Sequence, residues 1–205
     1  MILAEMMQVS EERYYSTEEY LALEDAADYK IEYIDGEIFP MAGGSTNHNQ
    51  IAGNFYAELN FAFKKLDYRV YMSDVRLWIP NNRIYTYPDV MVVVTEPEYY
   101  NNRTDTITNP RVIIEVLSAS TKGCDRSQKF EGYRSIPSFG EYLLVDQSRV
   151  YIEHFYKTDD KRWSFCEYND SDDAIALGSV SLQISIADIY NKVQFEQGDR
   201  EAAGA

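Results

Sequence analysis

Two stretches of the chain are almost continuously apolar: Asp89 to Val94 after its first residue, and Arg111 to Leu117 after its arginine. Runs of this kind, without polar alternation, suit central strands covered on both faces. Tyr68 to Met72 and Val75 to Ile79 are short and rich in aromatic or β-branched residues, and Pro80-Asn81-Asn82 ends the second. Glu141 to Val145 reads as another buried strand. Val150 to Tyr156 and Trp163 to Cys166 alternate more, which predicts an antiparallel pair turning through Lys157-Thr158-Asp159-Asp160-Lys161. Val180 to Ile184 adds a strand, and Ile186 to Tyr190 a helical turn.

Helical signals sit between these runs. Ser16 with Glu19 three positions on predicts a capped short helix carrying Tyr20, Leu21 and Leu23. Ile31, Tyr33, the Ile34-Asp35-Gly36 turn and then Glu37, Ile38 and Phe39 predict a tight hairpin. Gly43, Gly44 and Ser45 interrupt, after which Thr46 can cap a helix running to about Leu66, with Ile51, Phe55, Leu59 and Phe63 facing the core. Asp125 can cap a helix from about Arg126 to Ser135, which Ile136-Pro137 ends. Glu96 to Pro110 and Asp170 to Asp173 read as exposed polar loops. The order predicts a mixed α/β layer architecture, with an additional antiparallel strand region towards the C-terminus. No Pro/Gly/Ser-rich linker or internal repeat divides it, so residues 1–205 read as one domain with peripheral termini at about 1–14 and 198–205.

Charge changes the picture. The formal net charge is −15, from 34 acidic and 19 basic residues, which argues against broad attraction to nucleic acid or an anionic bilayer. A basic rim or a bound cation can still invert the field in one cleft. Met1 to Met7 contains Glu5 and lacks a basic start followed by a long apolar core, and no apolar run approaches the roughly 20 residues needed to cross a membrane. Only Cys124 and Cys166 are present, without CxxC or metal-like spacing. These features predict a cytoplasmic protein with no membrane association. Asn102-Arg103-Thr104 matches a glycosylation sequon but reads as surface loop. No Walker A, GxGxxG, HExxH or GxSxG sequence occurs.

The candidate chemistry lies at two carboxylates. Asp89 opens one apolar strand, and Glu115 interrupts the other between Val112-Ile113-Ile114 and Val116-Leu117, where a charge is expensive unless paired or coordinated. Together with a main-chain carbonyl and waters they could hold Mg²⁺ or Mn²⁺. The bland alternatives are capping and ion pairing, with Arg111 or Lys129 as partners for Asp89.

A larger pattern surrounds them. Tyr87-Pro88-Asp89-Val90, Ile114-Glu115-Val116-Leu117-Ser118 and Asp125-Arg126-Ser127-Gln128-Lys129-Phe130-Glu131-Gly132-Tyr133-Arg134 resemble the putative restriction endonuclease family abundant in cyanobacteria, assigned to the PD-(D/E)XK nuclease superfamily. Tyr33 to Glu37, Asn47-His48, Ser73 to Arg76 and Glu141 to Asp146 extend the resemblance over roughly residues 15–155. It implies a restriction endonuclease-like mixed central β-sheet flanked by helices. Asp89 resembles the motif aspartate and Glu115 the acidic member of (D/E)XK. Leu117 stands where the lysine usually does, and Lys129 on the following helix matches the displaced lysine of this family. Tyr133, one turn on, could order Lys129 or contact a phosphate.

The resemblance also brings in supporting candidates. Glu32 and Glu37 lie near the first helix and hairpin, where glutamates often approach this superfamily's metal site, and Glu32 is slightly favoured as a supporting ligand or as a residue that positions one. His48 could donate to a phosphate or move a proton, or only pack and cap its helix. Asp74 could join the acidic cluster or pair with Arg76; Lys129 could be an ordinary solvated helix lysine. Tyr85, Tyr87, Tyr99 and Tyr100 could line a substrate rim. The implied activity is Mg²⁺- or Mn²⁺-dependent hydrolysis of DNA by a homodimer. A catalytically inactive binding or structural protein on the same fold, and an enzyme acting on an anionic small molecule, are the alternative classes.

Overall fold

The computed structural model describes residues 13–41, 43–118 and 125–195, with Asp125 and Arg126 described by their backbone alone. The expectations for Met1 to Met7, for Cys124, for the Asp125 cap and for the tail from Gly198 lie outside the described residues. The first described element is helix α1 (Thr17–Ala26), opened by the expected capping box in which Ser16 and Glu19 exchange hydrogen bonds. The hairpin follows as β1 (Ile31–Ile34) and β2 (Glu37–Pro40). Its turn needs Gly36, whose φ is +106° and where a Cβ would meet the Tyr14 ring at 2.5 Å.

Helix α2 (Thr46–Ala62) starts one residue earlier in its capping than the sequence suggested: Ser45, not Thr46, accepts the His48 N–H at 3.1 Å. It also ends at Ala62 rather than near Leu66, although Ile51, Phe55, Leu59 and Phe63 are all buried as the periodicity required. Strands β3 (Arg69–Met72), β4 (Arg76–Ile79), β5 (Ile84–Thr86), β6 (Val90–Val93), β7 (Thr106–Ile107) and β8 (Val112–Leu117) come next. The segment expected to be an exposed loop from Glu96 to Pro110 is partly interior. Thr106 and Ile107 are fully buried, and the buried Asn109 side chain bonds Glu98 N–H, Thr95 and the Glu96 carbonyl. A π-helical turn over Asp125–Lys129 leads into a short α3 (Phe130–Arg134), in place of one regular helix. Strands β9 (Glu141–Asp146), β10 (Tyr151–Asp159), β11 (Arg162–Asn169), β12 (Ala174–Leu177) and β13 (Leu182–Ser185) precede α4 (Ile186–Ile189).

Two sheets carry the architecture. One runs β2-β1-β5-β4-β7 and the other β11-β10-β9-β8-β6-β3, while β12 and β13 form a separate hairpin. The apolar runs are central, as expected: β6 and β8 are buried throughout and pair antiparallel, with β9 parallel to β8. Period-2 alternation divides their side chains between two cores. Val90, Val92, Val112 and Ile114 pack with Ile51, Phe55 and Leu59 of α2. Met91, Val93, Ile113 and Leu117 pack with Leu77, Ile79 and Ile84 of the smaller sheet and with Tyr133 of α3. A third cluster, with Tyr20 and Tyr85 stacked at 5.0 Å and Trp78 and Tyr85 at 4.0 Å, joins α1 to the smaller sheet.

Candidate active site where the two sheets meet

Strand register brings the two carboxylates together. The β6–β8 pairing sets Val90 opposite Ile114, so one further step sets Asp89 level with Glu115. The alternation that sends Met91 and Ile113 towards the smaller sheet sends both carboxylates the same way. Their contact is direct: Asp89 N–H donates to Glu115 Oε2 at 3.3 Å, and Val116 N–H donates to Asp89 Oδ2 at 2.7 Å.

The facing sheet contributes a third acid by the same logic. Tyr33 lies opposite Tyr85 in the β1–β5 pair, which sets Glu32 level with Thr86. The Thr86 hydroxyl donates to Glu32 Oε1. Because Ile34 and Ile84 of these strands pack against the larger sheet, Glu32 points there as well.

Lys129 closes the gap between the sheets. Its Nζ lies 2.8 Å from Glu32 Oε1 and 3.6 Å from Glu115 Oε1, and only 4% of the residue is exposed. The solvated-lysine reading therefore does not hold; a buried ammonium needs such partners. Tyr133, also fully buried, donates its hydroxyl to Glu115 Oε1 at 2.8 Å. His48 reaches the cluster from the first turn of α2, with Nε2 3.2 Å from Asp89 Oδ2. Gly44 makes room for it, since a Cβ there would stand 2.9 Å from His48 Nδ1.

Of the residues singled out in the sequence, Asp89, Glu115, Lys129, Glu32, Tyr133 and His48 thus form one contact network. Glu37 does not join it, being exposed on the outer strand β2. Nor does Asp74, whose 85% exposed side chain pairs with Lys30; Arg76 instead binds Glu24 at 2.9 Å and Asp105 at 3.3 Å. Arg111 donates to the Ser138 carbonyl rather than pairing with Asp89. The tyrosine rim also fails in part. Tyr85 and Tyr87 are interior, where burial holds both phenols well above their ordinary range, and Tyr87 donates to Glu24. Thr86 is the functional-looking residue that sequence reading missed. Its only signal is its place three residues before Asp89, which acquires meaning once β5 is recognised.

The donor set suits a hard divalent cation. Asp89 and Glu115 offer oxygen ligands side by side, and among the described side chains of the network three carboxylates face one lysine and one imidazole, an excess of negative charge that a cation would offset. Among the described residues no group of three or more His, Cys, Asp or Glu side chains is placed to hold a metal ion. An open pair is compatible with Mg²⁺, which retains several waters and commonly takes one or two carboxylates. A cavity of about 490 Å³, lined by Arg111, Glu141, Tyr156 and Ser179 among others, lies at the starts of β8 and β9, away from these carboxylates.

Comparison with known proteins places the chain in a family. Residues 17–187 match the family described as "Uma2: Putative restriction endonuclease". Uncharacterized protein sll1609 of Synechocystis sp. is 43% identical over 162 residues, covering 79% of this chain and 92% of that protein. Uncharacterized protein slr1290 of the same organism is 36% identical over 180 residues, covering 88% and 93%. Among solved structures, a putative nuclease belonging to DUF820 from Anabaena variabilis superposes with a TM-score of 0.67 at 19% identity, over 84% of this chain and 96% of that one. Among the described residues no helix is long and apolar enough to cross a membrane.

Proposed function

The chain belongs to the Uma2 family, described as putative restriction endonucleases, and has a restriction endonuclease-like α/β fold; on that premise we propose that it is a metal-dependent endonuclease hydrolysing DNA phosphodiester bonds. A fold alone does not carry an activity. The observation that supports this reading is the level placement of Asp89 and Glu115 with Lys129 supplied from a neighbouring helix, since Leu117 occupies the strand position two residues after Glu115.

Asp89 and Glu115 are the residues that would hold Mg²⁺ or Mn²⁺, which when bound lowers the pKa of a coordinated water and offsets charge on a scissile phosphate. The rest of the work falls to the chain. Tyr133 and Lys129 fix Glu115 through Oε1, while the Val116 N–H and His48 fix Asp89 through Oδ2. Glu32, steadied by Thr86, draws the Lys129 ammonium to the site, where its charge can stabilise a developing negative charge.

The test is cleavage of linear, supercoiled and single-stranded DNA with Mg²⁺ or Mn²⁺, against EDTA and against Asp89→Asn and Glu115→Gln proteins whose folding is verified by circular dichroism. Cutting is expected to need the metal and to fall by about a hundredfold or more in either variant. Cleavage by a variant at the parental rate overturns the assignment. A second reading, a nuclease fold kept for binding without catalysis, is favoured by the −15 net charge. A folded parent protein that takes up no Mn²⁺ and cuts none of the DNA forms would support it.

A further inference from the structure

The larger sheet ends in β11, whose eight residues pair with β10 on one side and, among the described residues, with no strand on the other. The remaining margins of the two sheets are short: β2 and β3 have four residues each, β2 ending in Pro40, and β7 has two. A long unpaired edge is a template for another strand, and proteins usually blunt it by shortening it or by placing proline there. β11 has neither protection. None of its residues is buried, and Phe165 is 50% exposed.

The residues around β11 specify which strand fits. Lys161 and Arg162 precede or open it, and the turn after it carries Asp170, Asp172 and Asp173. An antiparallel copy of the same edge therefore brings Lys161 and Arg162, which follow Asp159 and Asp160, to the acidic turn of the other copy at both ends. A twofold axis normal to the sheet generates such a pair, and it keeps each sheet face continuous only if a residue meets another from its own face. Two registers satisfy this and overlap seven residues of β11, one centred on Phe165 and the other on Cys166. The Phe165 register places Arg162 across from Tyr168 and Asp160 across from Asp170 of the second copy. The Cys166 register sets Asp160 level with Asp172, so that acidic pairing does not separate the two; what does is that it places Arg162 across from Asp170, sets Lys161 diagonal to Asp173, and brings the two Phe165 rings into diagonal contact range.

Both charged groups are available for this. The Arg162 side chain is 81% exposed, with a 3.5 Å approach to Asp159. Asp170 is exposed and takes no part in the hydrogen bonds of its own turn, which run through Asn169, Ser171 and Asp172.

We propose that β11 is a self-association edge: a second copy of this chain pairs with it antiparallel in the Cys166 register, giving a twelve-stranded sheet, six strands from each copy. The site is independent of the nuclease reading, because association is measured whether or not the chain cuts DNA. Sedimentation velocity of the full chain is expected to show a dimer. Arg162→Asp alone and Asp170→Arg alone are each expected to weaken it by roughly a hundredfold, since every substitution acts twice under the twofold, and the double variant to restore it. In a Cys124→Ser background, diamide is expected to join Cys166 to Cys166 of the second copy, two thiols giving up two hydrogens to the diazene as one S–S bond forms, and Cys166→Ser to abolish that product. A monomeric parent protein, or a dimer indifferent to both charge reversals, overturns the proposal. A charge-sensitive dimer whose Cys166 thiols cannot be joined overturns the register.

Discussion

Lys129 is enclosed by two carboxylates of different sheets, and this makes its removal costly before any reaction is considered. Lys129→Met leaves Glu32 and Glu115 buried without their common cation. The expected loss is about 3–5 kcal/mol of folding stability, read by urea denaturation. Loss of cleavage in that variant would therefore speak less clearly than loss in Glu115→Gln. Tyr133→Phe removes one hydroxyl donor from a buried carboxylate and is expected to cost about 1–2 kcal/mol in the same measurement, against no change for a surface Tyr14→Phe control. At this scale the sequence was informative where chemistry violated a pattern. Asp89 and Glu115 stand out because they interrupt apolar strands, whereas Lys129 and Tyr133 on a polar helix were found only through resemblance. Resemblance favours Glu32 only slightly over Glu37; the burial of β1 and the exposure of Glu37 on β2 decide for it.

Among the elements, those with strong local signals were legible and those made by pairing were not. The capping box of α1, the hairpin turn and the apolar strands β6 and β8 all follow from local propensity and burial. β5, with three residues, and β7, with two, are too short to display a period; they exist because β4 offers them partners. β7 also shows how such a segment is held. Asp105, just before it, accepts from Arg103 at 3.0 Å and lies 3.3 Å from Arg76. Hydrogen bonding from Arg103 holds the Asp105 carboxyl down to about 2, against an ordinary value of 3.8. Since the folded-state value is depressed, the stabilisation is fully present above about pH 4 and is lost as pH falls through 2. An NMR titration should show Asp105 moving up towards 3.8 in Arg103→Gln; an unchanged value would remove Arg103 as the cause.

For the molecule as a whole, a net charge of −15 sets the terms on which it can meet a polyanion. On the proposed reading, attraction comes from a cation held locally and works against the surrounding field. Fluorescence anisotropy with a labelled duplex and Ca²⁺ as the divalent ion is expected to show at least about tenfold tighter binding than in EDTA. Equal binding in both would mean that DNA contacts a basic surface elsewhere. The overall layering was predictable from the order of elements, but the meeting of two sheets was not, because separate sheets are distinguished by long-range pairing rather than by local sequence. The link from Thr86 to Asp89 joins them: Thr86 is fixed to Glu32 on one sheet and Asp89 to Val116 on the other. That link is a ruler as much as a connection. Adding a single glycine between Tyr87 and Pro88 would leave every functional side chain in place by identity yet put the two halves out of step, so the length of this crossing is as much a part of the site as the acids it aligns.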